Sequence, residues 1–234
     1  MLSFLFFDAS GTILLPHPSI GAIYSDVARS FGVEAEPELL EQGFVRVFRA
    51  ARHARGLERL PYGSTHEEAR AFWRPIVAEA FAHAGLSMPP DPYFDTVYDR
   101  FATRHAWRLD DGFSEALQLL RDAGVGVGLL SNFDPRLRPL LHDLDIAHHF
   151  EAIVISCEHA AEKPSPVLFD VARKAIGAIP PERIALVGDT PEEDIAGALN
   201  AGWRACLVDR KDRHATHDGL RSPSLLEAVR CLLA

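Results

Sequence analysis

Lysine is nearly absent from this chain. Lys163, Lys174 and Lys211 stand against 21 arginines, and residues 13 to 107 contain none. Cysteine is sparse too. Cys157, Cys206 and Cys231 form no CxxC pair, so neither a disulfide framework nor a structural zinc site is expected. They read as small buried hydrophobes in a reducing compartment. No apolar run approaches the roughly 20 residues of a membrane span. The opening MLSFLFFDASG lacks a basic start and loses its apolar character too soon for a signal peptide. Positive charge is in deficit: the formal net charge is −9, which argues against a nucleic-acid partner. The expectation is a cytoplasmic protein with no membrane partner.

What is present is a regular alternation. Continuous apolar runs at 3–7, 125–130, 152–155, 184–187 and 205–208 suit parallel strands buried on both faces. Helical patterns at 112–123, 135–144, 165–176, 194–201 and 224–233 separate or follow them. This predicts an α/β fold, a Rossmann-like three-layer core with a parallel sheet of five or more strands. Residues 16–107 break the alternation with four amphipathic helical segments, at 19–31, 37–55, 66–84 and 93–104, and no convincing strand. About 90 residues are too many for a βα connection, so they read as an inserted all-helical cap. The core is then 1–15 with 108–234, and the cap 16–107.

Ligands of open α/β sheets bind beyond the carboxyl ends of the strands. Four of the five runs end in polar residues: Asp8, Ser131-Asn132, Ser156 and Gly188-Asp189. If the strands are neighbours, Asp8 and Asp189 share a pocket with Ser131. Paired carboxylates raise one another's pKa or recruit a cation, and oxygen donors suit Mg²⁺. Taken singly, each piece has a plainer reading. An aspartate at a strand end forms turns, Lys163-Pro164 is a surface loop, and Asp194 caps a helix. Their order along the chain carries the signal.

That order, Asp8-Ala-Ser-Gly-Thr12, Ser131-Asn132, Lys163-Pro164 and Gly188-Asp189 through Asp194, resembles the haloacid dehalogenase superfamily. LDDGFSEALQLLRDAG and IAGALNAGW extend the resemblance over essentially the whole chain. The insertion corresponds to that superfamily's C1 cap. EQGFVRVFRA, SNFDPRL and KPSPVLF resemble, more narrowly, the group named haloacid dehalogenase-like hydrolase domain-containing protein three. The resemblance implies that Asp8 is a nucleophile forming an aspartyl-phosphate. It implies Mg²⁺ held by Asp8, the Ser10 carbonyl, Asp189 and Asp194. It also implies phosphate binding by Ser131, Asn132 and Lys163, with Gly11 and Thr12 shaping the turn.

Ser10 departs from that pattern, since phosphatases of the superfamily carry a second aspartate there as general acid and base. A serine hydroxyl does neither well, and losing such a group costs roughly 10²–10⁴-fold. His17 is the candidate substitute acid, against the plain reading of an exposed loop histidine between two prolines. Dehalogenases also lack the second acid, but Gly188-Asp189 with Asp194 argues against that branch. Phosphonate hydrolases need a cap lysine, which residues 13–107 do not supply. Arg46 and Arg49 read as solvated helix-face residues rather than anion readers, and Phe72 and Trp73 as cap core. The expected function is a slow Mg²⁺-dependent phosphatase of a small phosphorylated metabolite, monomeric or homodimeric. The alternative is a weakly catalytic protein that binds a phosphate compound or a partner.

Overall fold

The computed structural model describes residues 1–54, 62–177 and 179–234. The chain divides into two compact units, one of residues 1–15, 109–133 and 145–234, the other of residues 16–108 and 134–144.

The first unit is built on a six-stranded parallel sheet. Its strands are β1 (Phe4–Phe7), β4 (Gly126–Ser131), β5 (Ala152–Ile155), β6 (Ile184–Gly188), β7 (Arg204–Val208) and β8 (Arg221–Ser222), in the order β5-β4-β1-β6-β7-β8. Five of them coincide with the apolar runs. The sixth is two residues long, too short to leave any periodicity. β1 is buried at every position because helices cover both faces. Phe4 and Phe6 join a core with Leu168, Phe169 and Trp203, where Phe6 stacks on Trp203 at 5.3 Å between ring centroids. On the opposite face Phe7 meets Phe113 edge-on at 6.0 Å. The covering helices are α5 (Phe113–Asp122), α7 (Pro166–Ala175), the short α8 (Gly197–Asn200) and α9 (Leu225–Leu233). The helix expected from residue 194 starts at Gly197, because residues 191–196 form a π-helical turn. Cys157 and Cys206 are buried as expected, whereas Cys231 is exposed on α9.

The second unit is helical: α1 (Ile20–Ser30), α2 (Pro37–Ala54), α3 (His66–His83), α4 (Tyr93–Arg100) and α6 (Leu137–Asp143). Arg55, read as the end of α2, lies outside the described residues. Ser19 caps α1, its side chain accepting from Ala22 N at 3.1 Å. Thr65 and Glu68 form a capping box that starts α3. Helix α4 stops at Arg100 rather than Arg104, because Thr103 turns to extended backbone (φ −123°, ψ 156°) before a 3₁₀ turn. The core gathers Tyr24, Leu40, Val77, Phe81, Tyr93 and Phe94, and buried Tyr93 donates its hydroxyl to Tyr24 O at 3.1 Å.

Residues 134–144 group with this unit. Buried Asp134 and Arg136 pair at 2.6 Å, Trp73 Nε1 donates to Asp134 Oδ2 at 2.7 Å, and the guanidinium lies 4.0 Å over the Tyr98 ring. Where the chain passes between units, β2 (Leu14–Pro16) and β3 (Trp107–Leu109) form a two-stranded sheet. Both escape a reading by periodicity because three residues show none.

Candidate active site

The register of the sheet brings the strand-end residues together. Phe7, the last residue of β1, is level with Leu129 on β4 and Val187 on β6. The next residue, Asp8, donates its N–H to Val187 O at 2.9 Å. It therefore emerges at the carboxyl edge between Ser131 on one side and Asp189 on the other. After it the chain winds tightly. The N–H groups of Thr12, Ile13 and Leu14 all point to Ala9 O, at 3.2, 3.0 and 2.8 Å. The turn needs a left-handed residue, and Gly11 supplies it with φ +89°.

Lys163 is the hub. Its buried ammonium donates to Asp8 Oδ1 at 2.7 Å, Asp194 Oδ1 at 2.6 Å and Leu130 O at 2.9 Å, which uses all three N–H bonds. Ser131 Oγ donates to the same Asp8 oxygen at 3.2 Å. Asn132 fixes the lysine's backbone: its Oδ1 accepts Lys163 N at 2.7 Å and its Nδ2 donates to Lys163 O at 2.9 Å. The same Nδ2 donates to Glu193 Oε2 at 3.2 Å. The other oxygen of Asp194 accepts Thr190 N at 2.9 Å, so this carboxylate also ties its own turn. Gly188 is required beside it, because a Cβ there would stand 2.2 Å from Asp194 Cγ.

Oxygens of Asp8, Asp189 and Asp194 all lie within 4.8 Å of one another. Burial and the charge of Asp194 push the Asp8 carboxyl up to about 6, with the Lys163 ammonium opposing. Burial and the neighbouring Asp8 and Asp194 carboxylates push Asp189 up to about 8. For Lys163, burial works against the charge, but Asp194 and Asp8 outweigh it and hold the ammonium above its ordinary range. One ammonium against three carboxylates, those of Asp8 and Asp194 buried and that of Asp189 half-buried, leaves the cluster short of positive charge. The donor set of hard oxygens therefore fits a divalent cation such as Mg²⁺.

Of the residues singled out in the sequence, Asp8, Ser131, Asn132, Lys163, Asp189 and Asp194 come together. Ser10 is exposed in the turn. His17 belongs to the helical unit, where it is exposed and its backbone N–H donates to Ala106 O at 2.9 Å. Glu193, Asp110 and Arg210 were not expected. Arg210 was within reach of the strand-end rule, since Asp209-Arg210 directly follows β7.

Comparison with known proteins fits this arrangement. A family model described as haloacid dehalogenase-like hydrolase matches residues 3–202. The human haloacid dehalogenase-like hydrolase domain-containing protein 3 is 32% identical over 207 residues, covering 87% of this chain and 80% of its own length. A phosphoserine phosphatase of Thermus thermophilus is 33% identical over 253 residues, covering 97% of this chain and all of its own. Among solved structures, L-2-haloacid dehalogenase from Xanthobacter autotrophicus superimposes with a TM-score of 0.73 at 16% identity, covering 99% of this chain and 98% of its own. That likeness concerns the fold alone.

Proposed function

This chain belongs to the haloacid dehalogenase-like hydrolase family, and from that premise we propose a Mg²⁺-dependent phosphatase of a small phosphorylated metabolite, turning over slowly in the cytoplasm. The observation that carries the reading is the triad of Asp8, Asp189 and Asp194 oxygens within 4.8 Å, with one ammonium to balance them. Asp8, Asp189, Asp194 and the Ser10 carbonyl would hold the cation. Mg²⁺, when bound, shields an anionic nucleophile from an anionic phosphate.

The chain's own residues do the rest. Asp8 attacks phosphorus with a carboxylate oxygen, the ester P–O bond breaks, and the alkoxide leaves with a proton. Water then attacks the phosphorus of the aspartyl-phosphate and releases inorganic phosphate and the Asp8 carboxylate. Lys163 orients Asp8 through its 2.7 Å bond and lends positive charge where phosphoryl charge gathers. Ser131 and the backbone after it donate to the phosphoryl oxygens. Asn132 holds Lys163 in place. Ser10 has no acid to give, so the leaving-group proton comes from His17 or water, and turnover is slow.

Dehalogenation is the weaker reading, although the fold accommodates it. A haloacid brings its own carboxylate, and the three clustered acids would repel it with no phosphate to justify recruiting a cation. The full-length match to a phosphoserine phosphatase supports the phosphomonoester class. Ser10 specifically favours the second reading, a weakly catalytic phosphate-compound or partner-binding protein.

The test is hydrolysis of p-nitrophenyl phosphate with and without Mg²⁺ by wild type, Asp8→Asn and Ser10→Asp. The phosphatase predicts Mg²⁺-dependent activity lost in Asp8→Asn and raised roughly 10²-fold or more in Ser10→Asp. A silent wild type rescued by Ser10→Asp selects the binding protein. Metal-independent activity that survives Asp8→Asn sinks both.

A further inference from the structure

Arg210 spends its guanidinium on main chain and one acid. Nη1 donates to Gly11 O at 2.7 Å, and Nη2 donates to Thr12 O at 2.7 Å and to Asp110 Oδ2 at 2.6 Å. Nε reaches the same Asp110 oxygen at 3.2 Å. Asp110 is itself held: its N–H donates to Ile13 O at 2.9 Å, and its Oδ1 accepts Gly112 N at 3.0 Å at the start of α5.

The two carbonyls matter because of what the turn does with its other groups. The N–H groups of Thr12, Ile13 and Leu14 converge on Ala9 O, and that of Gly11 donates to Leu14 O at 2.8 Å. Among the described hydrogen bonds, the Gly11 and Thr12 carbonyls are met by Arg210 alone. The same turn carries Asp8 at its start and the Ser10 carbonyl one residue before Gly11. Gly11 lies hard against Asp189, where a Cβ would stand 2.4 Å from Oδ2. A shift of the turn by a few tenths of an ångström would therefore move these donors relative to the Asp189 carboxylate. The planar fork meets the two adjacent carbonyls from separate nitrogens, Nη1 and Nη2, while Nη2 and Nε hold the carboxylate. A lysine ammonium on its flexible stem offers a point charge instead.

The geometry points to Arg210 as a positioning residue that locks the nucleophile turn in register with Asp189, so that the oxygen donors of turn and strand end converge on one cation. The inference rests on the metal-dependent reading above. Asp110 acts as the anchor that orients the guanidinium.

The experiment compares wild type, Arg210→Lys and Arg210→Ala, each with and without tens of millimolar guanidinium. Two quantities are read: the Mn²⁺ dissociation constant by electron paramagnetic resonance, and kcat and KM for p-nitrophenyl phosphate. The Arg210 side chain is 26% exposed, so added guanidinium can enter the vacated place. Arg210→Ala is expected to weaken Mn²⁺ at least fivefold and to lower kcat at least tenfold, with KM within threefold. Guanidinium should recover at least a third of each loss, and Arg210→Lys should fall between. A folded Arg210→Ala with Mn²⁺ affinity and kcat within twofold of wild type overturns the proposal. Losses that guanidinium leaves untouched overturn it too, since they mark a residue that only supports the fold. If wild type binds Mn²⁺ without hydrolysing the ester, the Mn²⁺ arm decides for Arg210 while the phosphatase reading fails. A wild type that does neither overturns both.

Discussion

The carboxylate of Asp189 lies directly on Gly11: a Cβ built on that glycine would stand 2.4 Å from Oδ2 and 2.9 Å from Oδ1. Both the space and the backbone, with φ +89°, forbid a side chain. Gly11→Ala must push Asp189 aside or bend the turn away from it. We expect a loss of more than 1 kcal/mol in stability, the scale of Gly→Ala where φ is positive. Mg²⁺ affinity should fall further than that loss explains. Urea unfolding and a metal titration of the same variant check the pair. Wild-type metal affinity in a destabilised variant would show that the turn is not part of the donor set.

Asp8 and Asp189, raised to about 6 and about 8, set the pH response of the metal-free protein. Each folded pKa lies above the ordinary value of 3.8, so the folded state holds more protons than the unfolded chain. The contribution to stability is fully present below about pH 4 and is lost as pH rises through about 6 and then about 8. The metal-free melting temperature should therefore decline between pH 5 and pH 8.5. Mg²⁺ displaces those protons, so the upward shift it produces should grow across the same range. Differential scanning calorimetry with chelator and with Mg²⁺ measures both curves. A metal-induced shift that is flat with pH would mean that these carboxylates do not hold the ion.

Within the helical unit, the Asp134–Arg136 pair is buried on both sides. Arg136→Met would strand a buried carboxylate with Trp73 Nε1 and nearby backbone as its remaining donors. Breaking such a pair from one side costs about 3–5 kcal/mol, whereas replacing both members by well-packed apolar groups is close to neutral. Denaturant unfolding should show Arg136→Met strongly destabilised, with Asp134→Leu/Arg136→Met recovering most of the loss. A double variant no better than the single would locate the cost in lost stacking on Tyr98 instead.

The sheet was legible because its signal is repeated residue by residue. FLFF and IALVG are apolar at nearly every position, and buried parallel strands tolerate little else. The acids of the site were legible for the opposite reason: a charge at the end of an apolar run stands out. Arg210 was missed although it directly follows β7, because two of its three partners are backbone carbonyls, which no residue type announces, and because 21 arginines give no single one prominence. Asp134 and Arg136 sit just past Ser131-Asn132, so their letters read as a lead-in to α6. Only folding reveals Trp73 and Tyr98 around them. β2, β3 and β8 are each three residues or fewer, below the length at which alternation can be recognised.

The guanidinium of Arg210 also closes a ring in the chain's connectivity. Gly11 and Thr12 lie just before the chain leaves the α/β unit, and Asp110 lies just after it returns. Ile13 O and Asp110 N meet at 2.9 Å besides. The excursion of nearly a hundred residues therefore starts and finishes at one knot tied wholly inside the α/β unit. To the sheet and its acids, helices α1 to α4 are a long parenthesis. A segment so anchored can change in length while the turn after β1 and the start of α5, tied together by Arg210, keep their places.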